Sequence, residues 1–319
     1  MENQPNNPLL CDLETGQCLI PDTVAGNETG IAVTKKAVKV VYYTDPICSS
    51  CWGIEPQLRK LKLEYGQDLD IEYRMGGLLP DWSYNSGGIS EPSDVASHWD
   101  EVSLHYDMPI DGDVWLENPL ASSYPPSIAV KAAQLQSPEK AVRFLRRIRE
   151  LVFLEKKNIT NWTYLAEAAQ AVGLDVDQLK QDYEGDAKAR FADDLELGRQ
   201  LGVRGFPTMF FANESGQQET VYGVKPYSVY ENVVLKLNSS ARKKSIDTNW
   251  QSLFSAYSSL TTREFAELSG LPRPDSESYL RQLTRQGQLT QFDTKNGSLW
   301  SYPTAAADRP NPSPLGLLL

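Results

Sequence analysis

Cys48 and Cys51, separated by two serines in "TDPICSSCWG", are the residues of this sequence whose types and spacing best suit chemistry. Two thiols at this distance pass readily between dithiol and disulfide. If the first lies at a helix N-terminus, unpaired backbone N–H groups and the positive end of the helix dipole favour its thiolate. The spacing therefore assigns Cys48 as the nucleophile. Cys51, about one turn further on, resolves a mixed disulfide and releases the substrate. Zinc would need two more ligands, and His98 and His105, the only histidines, stand seven apart with no carboxylate-rich pattern around them. Redox chemistry is the preferred reading, with no metal and no other cofactor expected.

The remaining cysteines, Cys11 and Cys18 in "CDLETGQC", admit two readings. They form a local structural disulfide or idle thiols, or they are a secondary redox pair that exchanges electrons with Cys48 and Cys51. Closing so short a loop adds only about 2.5 kcal/mol in the chain-entropy model. The flexible stretch between Cys18 and the first strand spans roughly 25 Å, enough to reach the active-site face. Asp12 and Glu14 would raise these thiol pKa values and make the pair a slower nucleophile than Cys48.

The elements that must position these thiols follow from pattern. A chain of 319 residues with 40% hydrophobic content buries a real core and suggests two domains, or one with a large insertion. Its opening, "MENQPNNPLL", lacks the basic and apolar regions of a secretory signal, and no stretch approaches the roughly 18 apolar residues of a membrane span. A cytoplasmic protein with no membrane partner is expected, and there paired cysteines are more often catalytic than structural. A net charge of −11 argues against nucleic acid as the main partner.

Residues 1–35 hold five acids and no Lys or Arg before Lys35, and read as a flexible acidic arm. "VKVVYY" reads as a strand buried on both faces, "CWGIEPQLRKLKLEY" as a helix and "LDIEYRM" as a second strand. This βαβ unit has the cysteines at its junction. From about 80 to 202 the period is helical. In "EKAVRFLRRIRELVFLEKK", Val142, Leu145, Ile148 and Val152 take one face, and Arg143, Arg146, Arg147 and Arg149 read as a solvated face rather than a phosphate site. "PTMFFAN" and "QETVYG" read as a hairpin, and "KPYSVYENVVLKL" as a helix with Pro226 near its first turn.

Residues 36–240 resemble the DsbA-like thioredoxin-fold superfamily, most nearly its FrnE-type branch, in which an all-helical insertion divides the thioredoxin core. The matching residues are "DPICSSCWG", "MGGLLP" and "LGVRGFPTMFF", in the family's order. The resemblance implies an α/β thioredoxin-like fold and a cis-proline at Pro207. There the Phe206 backbone would pair with an extended substrate and its side chain would add an apolar contact. Trp52, Trp82, Tyr84 and Trp99 are candidates for a hydrophobic peptide groove. Ser49 and Ser50 offer hydroxyls but no imidazolium, which implies an intermediate or reducing potential. Relatives often carry a buried acid six residues before the nucleophile, where this chain has Tyr42, so Asp45, Glu55 or water would have to serve Cys51.

Residues 245–302 have the layout of a small winged-helix-like domain, with a helix from Thr262, a turn at Gly270 to Pro274, a helix from Asp275 and a hairpin turning at Lys295-Asn296-Gly297. Arg281 and Arg285 invite a DNA reading, but acids balance bases here, and a protein-interaction or dimerisation role is expected. Residues 303–319 read as a disordered Pro-rich tail. The leading functional expectation is a thiol-disulfide oxidoreductase or isomerase acting on protein disulfide or thiol substrates, with glutathione or thioredoxin as electron donor. The alternative is an adaptor of the SpxH type, a branch that delivers a transcription factor to a protease. A kappa-type glutathione-dependent isomerase would carry serine in place of Cys48.

Overall fold

The computed structural model describes residues 36–83 and 91–303 and, in backbone only, 11–12 and 17–19. Most of the expected acidic arm, Tyr84 and the Pro-rich tail lie outside the described residues. Two short strands open the chain, β1 (Cys11–Asp12) and β2 (Gln17–Leu19). The core begins at β3 (Val38–Thr44), followed by α1 (Ser49–Gly53), α2 (Glu55–Tyr65) and β4 (Leu69–Met75). The single helix expected after the cysteines is therefore two. Pro56, near the start of α2, has no N–H to give the Trp52 carbonyl, and its ring would crowd that oxygen in a continuous helix.

Among the described residues seven helices form the insertion: α3 (Pro92–Tyr106), α4 (Val114–Glu117), α5 (Tyr124–Gln136), α6 (Pro138–Phe153), α7 (Trp162–Ala171), α8 (Val176–Glu184) and α9 (Asp186–Gln200). The core resumes with β5 (Gly205–Phe206), β6 (Thr208–Asn213), β7 (Gln218–Tyr222) and α10 (Tyr227–Leu237). The central sheet has the order β4-β3-β6-β7, with β3 parallel to β4 and the other pairs antiparallel. β3 lies inside it, and its residues are buried on both faces of the sheet. Its unbroken Val-Val-Tyr-Tyr run meets that demand, with Tyr42 opposite Tyr73 on one side and Met209 on the other. The Phe206–Pro207 peptide bond is cis. No described helix is long and apolar enough to cross a membrane.

The C-terminal region contains α11 (Trp250–Ala256), β8 (Ser259–Thr261), α12 (Thr262–Ser269), α13 (Arg273–Arg285), β9 (Thr290–Thr294) and β10 (Gly297–Ser301). Its sheet has the order β8-β10-β9 and covers its own core of Leu253, Phe254, Leu260, Phe265, Leu280 and Trp300. The pattern had not shown α11 or β8. α13 starts two residues earlier than expected because Pro272 and Pro274 fall at its cap and first turn, where a missing N–H costs nothing. α12 is closed by a capping box in which Thr261 and Glu264 satisfy each other's backbone N–H groups.

Candidate functional site

The dithiol stands at the end of the central strand. Cys48 is the N-cap of α1 in extended conformation, and its sulfur accepts the Cys51 N–H at 3.1 Å. Asp45 fixes the loop that delivers it. One carboxyl oxygen accepts from Ile47 N at 3.0 Å, and the other from Leu78 N at 2.8 Å and the Ser123 hydroxyl at 2.9 Å. Three distant segments thus meet on one carboxyl group. Burial pushes its pKa up to about 6, against the pull of these donors.

The group facing the thiols from the insertion is Arg149, only 1% exposed. Its Nη1 donates to Glu55 at 2.9 Å, and its Nη2 donates to the Thr44 hydroxyl and to the Asp45 carbonyl. Thr44 in turn donates to the Tyr42 hydroxyl at 3.1 Å. Burial, followed by the charge of Cys51, pushes Tyr42 far above its ordinary pKa, so it stays a neutral phenol. Glu55 is held below the usual carboxylate range despite its burial, chiefly by Arg149 and Arg59, which makes it a poor proton acceptor. Beside Tyr42, Asp45 and Glu55 the group that enters the dithiol loop is thus a guanidinium reaching in from α6.

This changes the charge expected on the thiols. Cys48 and Cys51 are reduced and wholly buried. Burial raises the Cys48 pKa, as does its hydrogen bond to Cys51, and the Cys51 N–H and Arg149 only partly offset this. Burial opposes ionisation of Cys51 too, but the Cys48 thiol, Arg149 and Thr44 outweigh it and lower that pKa. The Cys48 thiol, Arg149 and Thr44 thus favour a thiolate on Cys51, whereas the sequence expectation places it on Cys48 at the helix terminus.

Several expected groove residues are core residues. Trp52 is fully buried, donates to the Pro109 carbonyl at 3.0 Å and lies beneath the Arg146 guanidinium, 4.2 Å from its ring centre. Trp99 is 2% exposed and packs on Phe153 and Trp115. Trp82 is half-buried, with its indole N–H on the Leu120 carbonyl at 2.8 Å. The Phe206 ring is itself wholly buried. It fills the space over Gly76, where a Cβ would lie 1.8 Å from its Cζ, so "MGGLLP" needs glycine at this point. Gly76, Gly77, Pro80, Tyr124, Leu195 and Phe206 instead line a shallow cleft of about 270 Å³ beside the strand.

The arginine face of α6 is also not solvated as expected. Arg143 is exposed, but Arg146 chelates Glu264 of α12 through Nη1 at 2.8 Å and Nη2 at 3.1 Å, and Arg147 pairs with Glu150 and Glu155. Arg59 of α2 reaches the same Glu264 at 3.2 Å, and the Ser259 hydroxyl donates to Glu150. These contacts lock the C-terminal region to both the core and the insertion. Sequence reasoning missed Arg149, although a signal was present. It stands four residues after Leu145 and three before Val152, within the apolar stripe.

A family model described as Thioredoxin matches residues 42–232. The chain is 34% identical over 308 residues to the ClpXP adapter protein SpxH of Halalkalibacterium halodurans, covering 94% of this chain and 98% of the relative. It is 26% identical to the protein of the same name in Bacillus subtilis, covering 86% and 92%. Among solved structures, the cytosolic disulfide reductase DsbM of Pseudomonas aeruginosa superposes with a TM-score of 0.51 at 23% identity, covering 62% of this chain and 99% of that one.

Proposed function

Since the chain belongs to the thioredoxin family and, within it, to the SpxH family, we propose that it is an adapter that binds a client protein and presents it to ClpXP. The observation that carries this reading is the extent of likeness. DsbM is matched almost whole by a part of this chain, whereas the relatives matched along nearly all of it are named adapters. The additional C-terminal region is docked through buried ion pairs centred on Glu264, so body and extension offer one continuous surface. That extension is read as a winged-helix-like protein-binding module. Two of the three arginines of its helix α13 are already engaged, Arg281 by Glu277 and Arg273 by Asp107 and Glu277.

A second reading, a cytoplasmic protein disulfide oxidoreductase or isomerase using glutathione or thioredoxin, is favoured by the Cys48 cap and by the cation beside Cys51. Against it as the main activity stands the complete burial of both sulfurs. The test is proteome turnover in cells of the source organism with and without this protein, each with ClpX present or depleted. The adapter reading expects a small set of proteins to be short-lived only when both are present. If no half-life depends on both, while purified protein reduces insulin and its Cys48→Ser variant does not, the enzyme reading replaces it.

A further inference from the structure

The two-residue strand β5 is not part of the central sheet. It forms a separate three-stranded sheet in the order β1-β2-β5, and both other strands come from the amino-terminal arm. β2 runs antiparallel to β5, with Cys18 opposite Phe206 and Leu19 opposite Gly205. β1 folds back on the other side, with Cys11 opposite Cys18. Cys11, Cys18 and Phe206 therefore occupy one cross-strand row. β2 also lies against α1, the helix that Cys48 caps. The chain has laid a cysteine-bearing strand of its own on the edge where an extended client segment would pair, and Cys48, at the cap of the neighbouring α1, is wholly buried.

We propose that the Cys11–Cys18 hairpin is a resident occupant of the Gly205–Phe206 edge, which a client must displace, and that Cys18 is the intramolecular disulfide partner of Cys48. The inference rests on the reading of this face as the client-binding one. Register allows the Cys11–Cys18 bond, and the contact of β2 with α1 brings the strand that carries Cys18 to the helix that Cys48 caps. Directly opposed residues of antiparallel strands have Cα atoms about 4.5–5.5 Å apart, within the roughly 4.4–6.8 Å that a disulfide spans. When a client disulfide or glutathione disulfide has oxidised Cys48 and Cys51, the Cys18 thiolate attacks the Cys48 sulfur. The Cys48–Cys51 bond breaks and Cys51 leaves as a thiolate, a departure helped by Arg149. Cys11, deprotonated, then attacks the Cys18 sulfur and expels Cys48. The two electrons of the Cys11 and Cys18 thiols now rest on Cys48 and Cys51, and the Cys11–Cys18 disulfide is the oxidised product. When the hairpin leaves, the edge opens and burial, the largest influence raising the Cys48 pKa, is relieved.

Two measurements test this. A Cys11→Ser/Cys51→Ser variant, oxidised with glutathione disulfide, should form a Cys18–Cys48 bond within one molecule, at a yield unchanged on dilution and identified by peptide mass mapping. Glutathione adducts or intermolecular dimers as the main products would overturn the pairing. Removal of residues 1–30 in a Cys51→Ser background should speed iodoacetamide modification of Cys48 by about tenfold or more, since the thiol no longer waits for a local opening. An unchanged rate would show that the hairpin does not cover the edge. Neither measurement uses a client or ClpXP, so failure of the adapter reading and failure of this one are told apart.

Discussion

Arg149 donates to Glu55 at 2.9 Å from a position almost wholly withdrawn from water, joining the insertion to the first turn of the helix that follows the thiols. Removing one partner of such a pair strands the other. Arg149→Met is expected to cost about 3–5 kcal/mol in urea unfolding. It should also move iodoacetamide modification of the dithiol to higher pH, because the cation beside Cys51 is gone. The double variant Arg149→Met/Glu55→Gln should recover part of the stability but none of the thiol acidity. Recovery of both would show that the guanidinium acts only on packing.

Asp45 makes the folding equilibrium depend on pH in a sense opposite to most carboxylates. Its folded pKa of about 6 lies above the ordinary 3.8, so the stability linked to its protonated form is complete below 3.8 and lost as pH rises through 6. Asp45→Asn cannot titrate, and its amide N–H group would face donors that now meet an oxygen. The deficit of the variant against the wild type should be largest near pH 4 and shrink toward pH 7, by about 2–3 kcal/mol across the window. Chemical unfolding at a series of pH values reads this directly. A deficit that grows with pH would mean that Asp45 is ionised in the fold throughout.

Gly76→Ala should destabilise the protein by about 1–3 kcal/mol, since its methyl group would overlap the buried Phe206 ring. Phe206→Leu makes room, and the pair should be strongly non-additive, with the double variant more stable than Gly76→Ala alone. Simple addition of the two losses would place the conflict elsewhere.

Glu264→Gln keeps an oxygen for the α12 cap but removes the charge on which Arg59 and Arg146 converge. The expected loss is about 3 kcal/mol, with faster hydrogen exchange in β8 and α12 than in the central sheet. Equal protection in both regions would show that apolar packing, rather than this carboxylate, holds the C-terminal region in place.

The sequence made legible what depends on local period and on spacing along the chain. "VKVVYY" and "PTMFFAN" are apolar without interruption because both lie inside one sheet, and Cys48 caps a helix because the turn at Asp45–Pro46 ends the strand just before it. What it did not reveal is which surface another segment covers. Arg146 and Arg147 look like solvent-facing positions until α12 and the loop after α6 bring carboxylates to them, and the tryptophans look like a groove until the insertion closes over Trp52 and Trp99. The environment of the thiols was hidden for the same reason. The helix end was readable, but the Arg149 guanidinium that favours a thiolate on Cys51 comes from a helix remote in sequence.

One turn of α6 carries both Arg149, which touches the dithiol loop, and Arg146 with Glu150, which hold Glu264 and Ser259 of the C-terminal region. Because a helix moves as a body, a shift of that turn cannot be felt at one end alone. Any ligand that binds the C-terminal region more tightly in one setting of α6 changes the acidity of the thiols. By thermodynamic linkage, protonating or oxidising those thiols changes the affinity for that ligand by the same factor. The insertion therefore acts as a lever between two sites, and its fulcrum is a single helical turn.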